Sequence, residues 1–178
     1  MMITDLFNEN YFLASPDQQL AFCCIPKAAS TSFRYFFMDH GWTNSHPHSV
    51  QNVFYIKRDE EERRMSGISE VYKRACAHYP DYPSVDEIYE KYDEGKLFVD
   101  IHLVPIHLLI KDDYISVNLN DIHHFLSSQN LDWNKFEHLN KTRLHAPESF
   151  VNMYKNLLSY SFKEEVCGEI NKYIFINI

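Results

Sequence analysis

Residues Leu20–Phe37 read LAFCCIPKAASTSFRYFF, and the pattern changes twice within them. Leu20–Ile25 is a continuous apolar run closed by Pro26, the signature of a buried strand. From Ser30 the spacing becomes helical: Phe33, Phe36 and Phe37 recur on one face toward His40, and Gly41 supplies the stop. Between the two lie Lys27 and the small residues Ala28 and Ala29. A strand, a short loop of small residues and an aromatic-faced helix make one βα unit.

The same alternation continues outward. Val53–Lys57 (VFYIK) is a second buried strand, and Asp59 can cap a helix through EEERRMSGISEVYKRAC, whose acids fall in the first turn as the helix dipole prefers. Tyr79–Pro83 breaks that helix. Ser84 followed by Glu87 is a capping box opening a helix to Asp93. Leu97–Ile110 is apolar with interspersed histidines and Pro105, and does not divide cleanly. Tyr114–Leu119 (YISVNL) alternates as a strand does. Asn120 can cap a helix through His123 to Ser128, Asn134–His145 reads as loop, and Pro147–Ser159 and Ser161–Phe175 read as two C-terminal helices. Strands alternating with helices predict an α/β fold, a parallel sheet covered on both faces. A length of 178 residues is that of a single domain spanning the chain.

Composition narrows the classes. Apolar residues at 45% and charged residues at 24% are the balance of a soluble globular protein. No apolar run approaches the roughly 20 residues that cross a bilayer. MMITDLFNENYF lacks a basic start and carries two early acids, unlike a secretory signal. Cys23 and Cys24 are adjacent in a strand, where their side chains point to opposite faces. Cys76 and Cys167 stand apart, and no C-x-x-C or zinc spacing occurs. Four reduced thiols, a cytoplasmic location and no metal are the expectation. The net charge of −8 disfavours nucleic-acid and anionic-membrane partners. Pro26–Arg74 is the exception, with eight basic residues against six acids. A locally basic stretch in an acidic chain suits a small anionic ligand.

Pro26-Lys27-Ala28-Ala29-Ser30-Thr31-Ser32 is the strongest chemical signal. A strand–loop–helix junction offers unpaired backbone N–H groups and the positive helix end to an anion. Small residues let the backbone approach closely, Lys27 adds a charge, and Ser30, Thr31 and Ser32 add hydroxyl donors. The nucleoside-triphosphate loop ends in Gly-Lys-Ser/Thr, whereas here the lysine precedes the hydroxyl residues. The same residues also suit an ordinary turn with Ser30 as N-cap. The second signal is Arg58-Asp59-x-x-x-Arg63-x-x-Ser66. Arg58 stands at a strand's C-terminal end, where open α/β sheets bind ligands, and its guanidinium can fork onto a phosphate. Arg63 and Ser66 share a helix face three residues apart, and Arg63 and Arg64 can equally pair with Glu60–Glu62.

Taken together, the two motifs resemble those of the sulfotransferase family, in the form found among carbohydrate sulfotransferases. Pro26-Lys27-x-x-x-Thr31-Ser32 is similar to its 5′-phosphosulfate loop, and Arg58 to Ser66 to its 3′-phosphate motif. Asp100-Ile101-His102-Leu103-Val104-Pro105 resembles the family's His-x-x-Pro segment, and Asn140-Lys141-Thr142 its Asn-Lys-Ser/Thr stretch. The resemblance covers about residues 20–175. It implies a P-loop-like sulfotransferase fold and 3′-phosphoadenosine 5′-phosphosulfate (PAPS) as donor, leaving 3′-phosphoadenosine 5′-phosphate (PAP). It implies that Ala28–Ser32 hold the 5′-phosphate, that Lys27 stabilises the leaving oxygen, and that Arg58 and Ser66 bind the 3′-phosphate. The implied reaction is in-line transfer to a hydroxyl of a carbohydrate or small-molecule acceptor, dominated by positioning and charge stabilisation.

Such transfer needs a base, which the family places between its two phosphate motifs. His48, with His46 beside it in SHPHS, is the candidate, since an ordinary imidazole already titrates near neutrality. His102 and His107 read as packed or surface residues. Two other functions fit the same stretch: a nucleotide-dependent kinase-like enzyme, and a nucleotide-binding module of the same fold without transfer activity.

Overall fold

The computed structural model describes residues 9–132, 134, 136, 144–159 and 173–176. They group into two compact units, one within Met1–Asp59 and Ile106–Lys141, the other within Glu60–Pro105 and Thr142–Ile178. In chain order the first unit supplies β1 (Phe12–Ala14), β2 (Leu20–Cys23), α1 (Ser30–Asp39), β3 (Thr43–Asn44) and β4 (Asn52–Lys57). The second supplies α2 (Glu60–Cys76), α3 (Val85–Asp93) and β5 (Leu97–Val99). The first then adds β6 (Ile115–Asn118) and α4 (Ile122–Ser128), and the second α5 (Glu148–Ser159) and β7 (Tyr173–Phe175).

The fold is α/β, with a mixed five-stranded sheet in the first unit ordered β3-β1-β2-β4-β6. Strands β2, β4 and β6 are parallel: Cys23 lies opposite Tyr55 in β2–β4, and Tyr55 opposite Ser116 in β4–β6. The wholly parallel sheet expected from the sequence is corrected by β1, which runs antiparallel to both β2 and β3. Its cause is a tight hairpin at Ser15–Leu20. Ser15 Oγ donates to Asp17 Oδ1 at 2.6 Å, the Leu20 N–H returns to Ser15 Oγ at 3.1 Å, and Gln18 takes a left-handed φ of 58°. A three-residue strand before such a turn is too short to register as periodicity.

Helix α1 forms as its spacing requires, and the left-handed Gly41 (φ 81°) follows its end. Its apolar face buries Phe33, Phe36 and Phe37 against one face of the sheet. The Phe22 and Phe37 rings lie 5.0 Å apart, Phe37 and Trp42 4.4 Å, and Phe54 and Phe125 4.8 Å. Tilted and edge-on rings at these distances add about 0.5–1.5 kcal/mol per pair beyond burial. Val117, Ile122 and Leu126 extend the same core. Alternation sends Cys24 into this core beside Phe22, while Cys23 is buried outside the cluster. Both are free thiols, as is the exposed Cys76. Burial pushes the Cys24 thiol up to about 12, against the pull of Arg34.

In the second unit, Ser84 caps α3 by accepting the Glu87 N–H at 3.2 Å, the N-cap half of the capping box read from sequence. Leu97–Ile110 resolves into β5, a turn at Asp100–Leu103 and a 3-10 turn at Ile106–Leu108. The helix expected over Ser161–Phe175 is corrected at its end, where Tyr173–Phe175 pair in parallel with Leu97–Val99. An aromatic and β-branched triplet suits a strand better than a helix terminus. The helix expected from an Asn120 cap begins instead after Asp121, without a side-chain cap bond. Trp133, Asn140-Lys141-Thr142, Cys167 and most of the expected last helix lie outside the described residues.

Candidate functional site

The loop between β2 and α1 is tight and left-handed at two residues. The Ile25 N–H returns to Cys23 O at 2.9 Å and the Ala28 N–H to Ile25 O at 3.2 Å. Lys27 has φ 64° and Ala29 φ 55°, ψ 20°. Neither is glycine, so the loop holds backbone conformations that L side chains disfavour. Ala29, not Ser30, occupies the N-cap position, and no side chain caps the helix. The first intrahelical bond is Phe33 N–H to Ala29 O at 3.1 Å. Among the described residues, the Ser30 and Thr31 N–H groups have no backbone acceptor. These are the donors an anion at a helix N-terminus would engage.

Arg58 follows β4, the parallel neighbour of β2, so the two segments leave the sheet at the same edge. The Arg58 guanidinium donates through Nη1 to the Lys27 carbonyl at 2.8 Å. The bond thus ties Arg58 of the second motif to Lys27 of the first, 31 positions away in sequence. Lys27, Ser30, Thr31 and Arg58 are half-buried, whereas Ala28 and Ser32 are buried. Asp59, Glu61 and Glu62 are exposed, and Glu60 pairs with Arg63 at 2.9 Å.

The remaining expected site residues sit apart from this loop in sequence and role. His46 and His48 flank Pro47 at an exposed 3-10 turn, their rings stacked 5.3 Å apart. The turn is tied by Ser49 Oγ, which donates to His46 O at 2.7 Å. Among the described residues neither imidazole has a hydrogen-bonded partner to orient it. Ser66 is half-buried on α2 in the second unit. Arg34 ties α1 to the sheet side of its own unit, donating to Asn10 O at 2.6 Å and Asn44 Oδ1 at 2.8 Å.

A second polar cluster, which joins Arg63 to the Asp100–Pro105 segment that the sequence marked separately, lies wholly within the second unit. Arg63 is fully buried and reaches from α2 to the carbonyls of Val104 and His102, the latter at 3.4 Å, while also holding Glu60. Gly67, one turn on, lies against the same segment: a Cβ there would collide with the His102 carbonyl. Asp100, also fully buried, accepts the Tyr82 O–H at 2.8 Å, the His102 N–H at 2.7 Å and His102 Nδ1 at 3.2 Å. Burial works to raise the Asp100 pKa, but the His102 ring and these hydrogen bonds outweigh it and hold it below the ordinary carboxylate value. The Arg63–Gly67 spacing on α2 was the available sequence signal, one face carrying a charge and a missing side chain.

No protein-family model, curated protein or solved structure matches the chain. Among the described residues no helix is long and apolar enough to cross a membrane, and no cluster of three His, Cys, Asp or Glu side chains could hold a metal ion.

Proposed function

We propose that this protein is a PAPS-dependent sulfotransferase of P-loop-like fold, acting on a hydroxyl of a carbohydrate or small molecule. The observation that carries the reading is the 2.8 Å bond from Arg58 to the Lys27 carbonyl, which brings the two phosphate-type motifs together. The Ser30 and Thr31 N–H groups and the Thr31 hydroxyl hold the donor's 5′-phosphate, and Lys27 neutralises charge on the leaving oxygen. Arg58 reads the 3′-phosphate. Ser66 enters through the motif alone. In the transfer, the sulfur–oxygen bond to the 5′-phosphate breaks as a new one forms to the acceptor oxygen, and the acceptor's proton passes to a histidine. His48, with His46, is the pair in the sequence position the family uses.

Calorimetric titration with PAP, and with adenosine diphosphate as the control lacking the 3′-phosphate, tests the reading. PAP should bind at least about tenfold more tightly, the worth of one charge-assisted phosphate contact. Lys27→Ala and Arg58→Ala should each lose PAP binding by a similar factor. Equal binding of the two nucleotides, or none, overturns the proposal. Binding of PAP with no turnover of PAPS against any hydroxyl acceptor would instead favour the nucleotide-binding module.

A further inference from the structure

His102 is held more firmly than a packed or surface histidine requires. Its backbone N–H and its ring both reach the Asp100 carboxylate, its carbonyl takes the Arg63 guanidinium, and Gly67 lies close against that carbonyl. Asp100 is in turn fixed by Tyr82. An ionised carboxylate only accepts hydrogen bonds, so Nδ1 must carry a proton. The neutral ring therefore presents Nε2 as a bare acceptor. Among the described residues the His102 side chain bonds through Nδ1 and not through Nε2, and it keeps 14% of its exposure. His46 and His48 have no such support.

We propose that His102 is a preorganised proton acceptor, a base site of the second unit, whose Nε2 takes the proton of a hydroxyl-bearing ligand. The proton moves from the ligand oxygen to Nε2, and the resulting imidazolium is neutralised by the Asp100 carboxylate beneath it. That same carboxylate disfavours an anionic ligand at Nε2 and leaves alcohols and sugars as the fitting class. Other ionisable groups close to Asp100 are Tyr82 before α3 and Tyr154 on α5; Arg74 on α2 acts on Tyr82, and Arg63 on α2 holds the His102 carbonyl. Burial pushes both phenols up, so neither competes as a base. The inference stands independently of the sulfotransfer reading.

The test is on the intact chain. Long-range proton–nitrogen spectra at about pH 8.5, where imidazoles are neutral, report which ring nitrogen carries the hydrogen, with His102→Gln identifying the resonance. The expected result is the Nδ1–H form of His102 in at least about tenfold excess, as a hydrogen bond to a charged acceptor imposes. Asp100→Asn should relax that excess. Diethyl pyrocarbonate, an electrophile that marks accessible unprotonated imidazole nitrogen, should modify His102 in the folded protein. An Nε2–H form, or a His102 that stays unmodified while His46, His48 and His107 react, overturns the proposal. Both measurements on the unaltered protein decide it even where Asp100→Asn does not fold.

Discussion

The first unit packs Phe22, Phe33, Phe37, Trp42 and Phe54 ring against ring behind its sheet, whereas the second buries Arg63, Asp100 and Tyr82 in a hydrogen-bonded network. Apolar packing is tolerant: neighbouring rings shift to fill small losses, and the energy is spread over many weak contacts. A buried ionic network is unforgiving, because removing one member strands the others without water. The chain therefore places its adaptable packing beneath the loop between β2 and α1 and its rigid polar lock around one histidine.

The widest difference should appear between Phe37→Leu and Arg63→Met, two changes that keep much of the side-chain volume. Arg63→Met leaves the His102 and Val104 carbonyls without their donor, while the partly exposed Glu60 stays hydrated, and should cost about 2–4 kcal/mol. Phe37→Leu trims one ring from a cluster and should cost about 1 kcal/mol. Urea unfolding followed by circular dichroism measures both. A larger loss for Phe37→Leu would break the contrast.

The same contrast explains what the sequence could disclose. Helices α1, α2 and α3, and the parallel strands β2, β4 and β6, were legible because periodicity and capping are local: Phe33, Phe36 and Phe37 mark one face, and Ser84 and Glu87 mark one start. The Lys27 loop and Arg58 were legible as separate motifs at strand ends, though not the bond between them. β1 escaped because three residues carry no period, and β7 because Tyr173–Phe175 owes its conformation to distant Leu97–Val99. The Asp100 network was illegible for a different reason. A buried Asp or Arg looks identical in sequence to a solvated one, and only the partners across 18 to 41 residues distinguish them.

A smaller effect should follow from acid. The Asp100 carboxylate lies below its ordinary value of 3.8 in the folded chain. A depressed carboxylate contributes stability that is complete above the unfolded value and drains as pH falls through the folded one. The unfolding midpoint of the unaltered protein should therefore fall below about pH 4, and more steeply than that of Asp100→Asn. Measuring the urea midpoint at successive pH values checks the slope, and parallel curves for the two proteins would mean that the network does not hold Asp100 ionised.

The smallest expected effect concerns strain, which lies on the other side of the comparison. Two residues of the first unit's loop, Lys27 and Ala29, sit at positive φ without being glycine. Ala29→Gly relieves the clash between Cβ and the backbone, and the gain of about 1 kcal/mol exceeds the extra entropy that glycine gives the unfolded chain. Ala28→Gly, at a buried neighbour without positive φ, adds the loss of a buried methyl to the entropy cost and should lose about 1–2 kcal/mol. Opposite signs for two adjacent, chemically identical substitutions would locate the backbone strain at Ala29. If Ala29→Gly also weakens PAP binding, the left-handed alanine does more than tolerate its conformation: it stiffens the loop so that the Ser30 and Thr31 N–H groups stay convergent, and the strain is part of the anion site. Unchanged binding would leave the strain a local cost of the turn between β2 and α1.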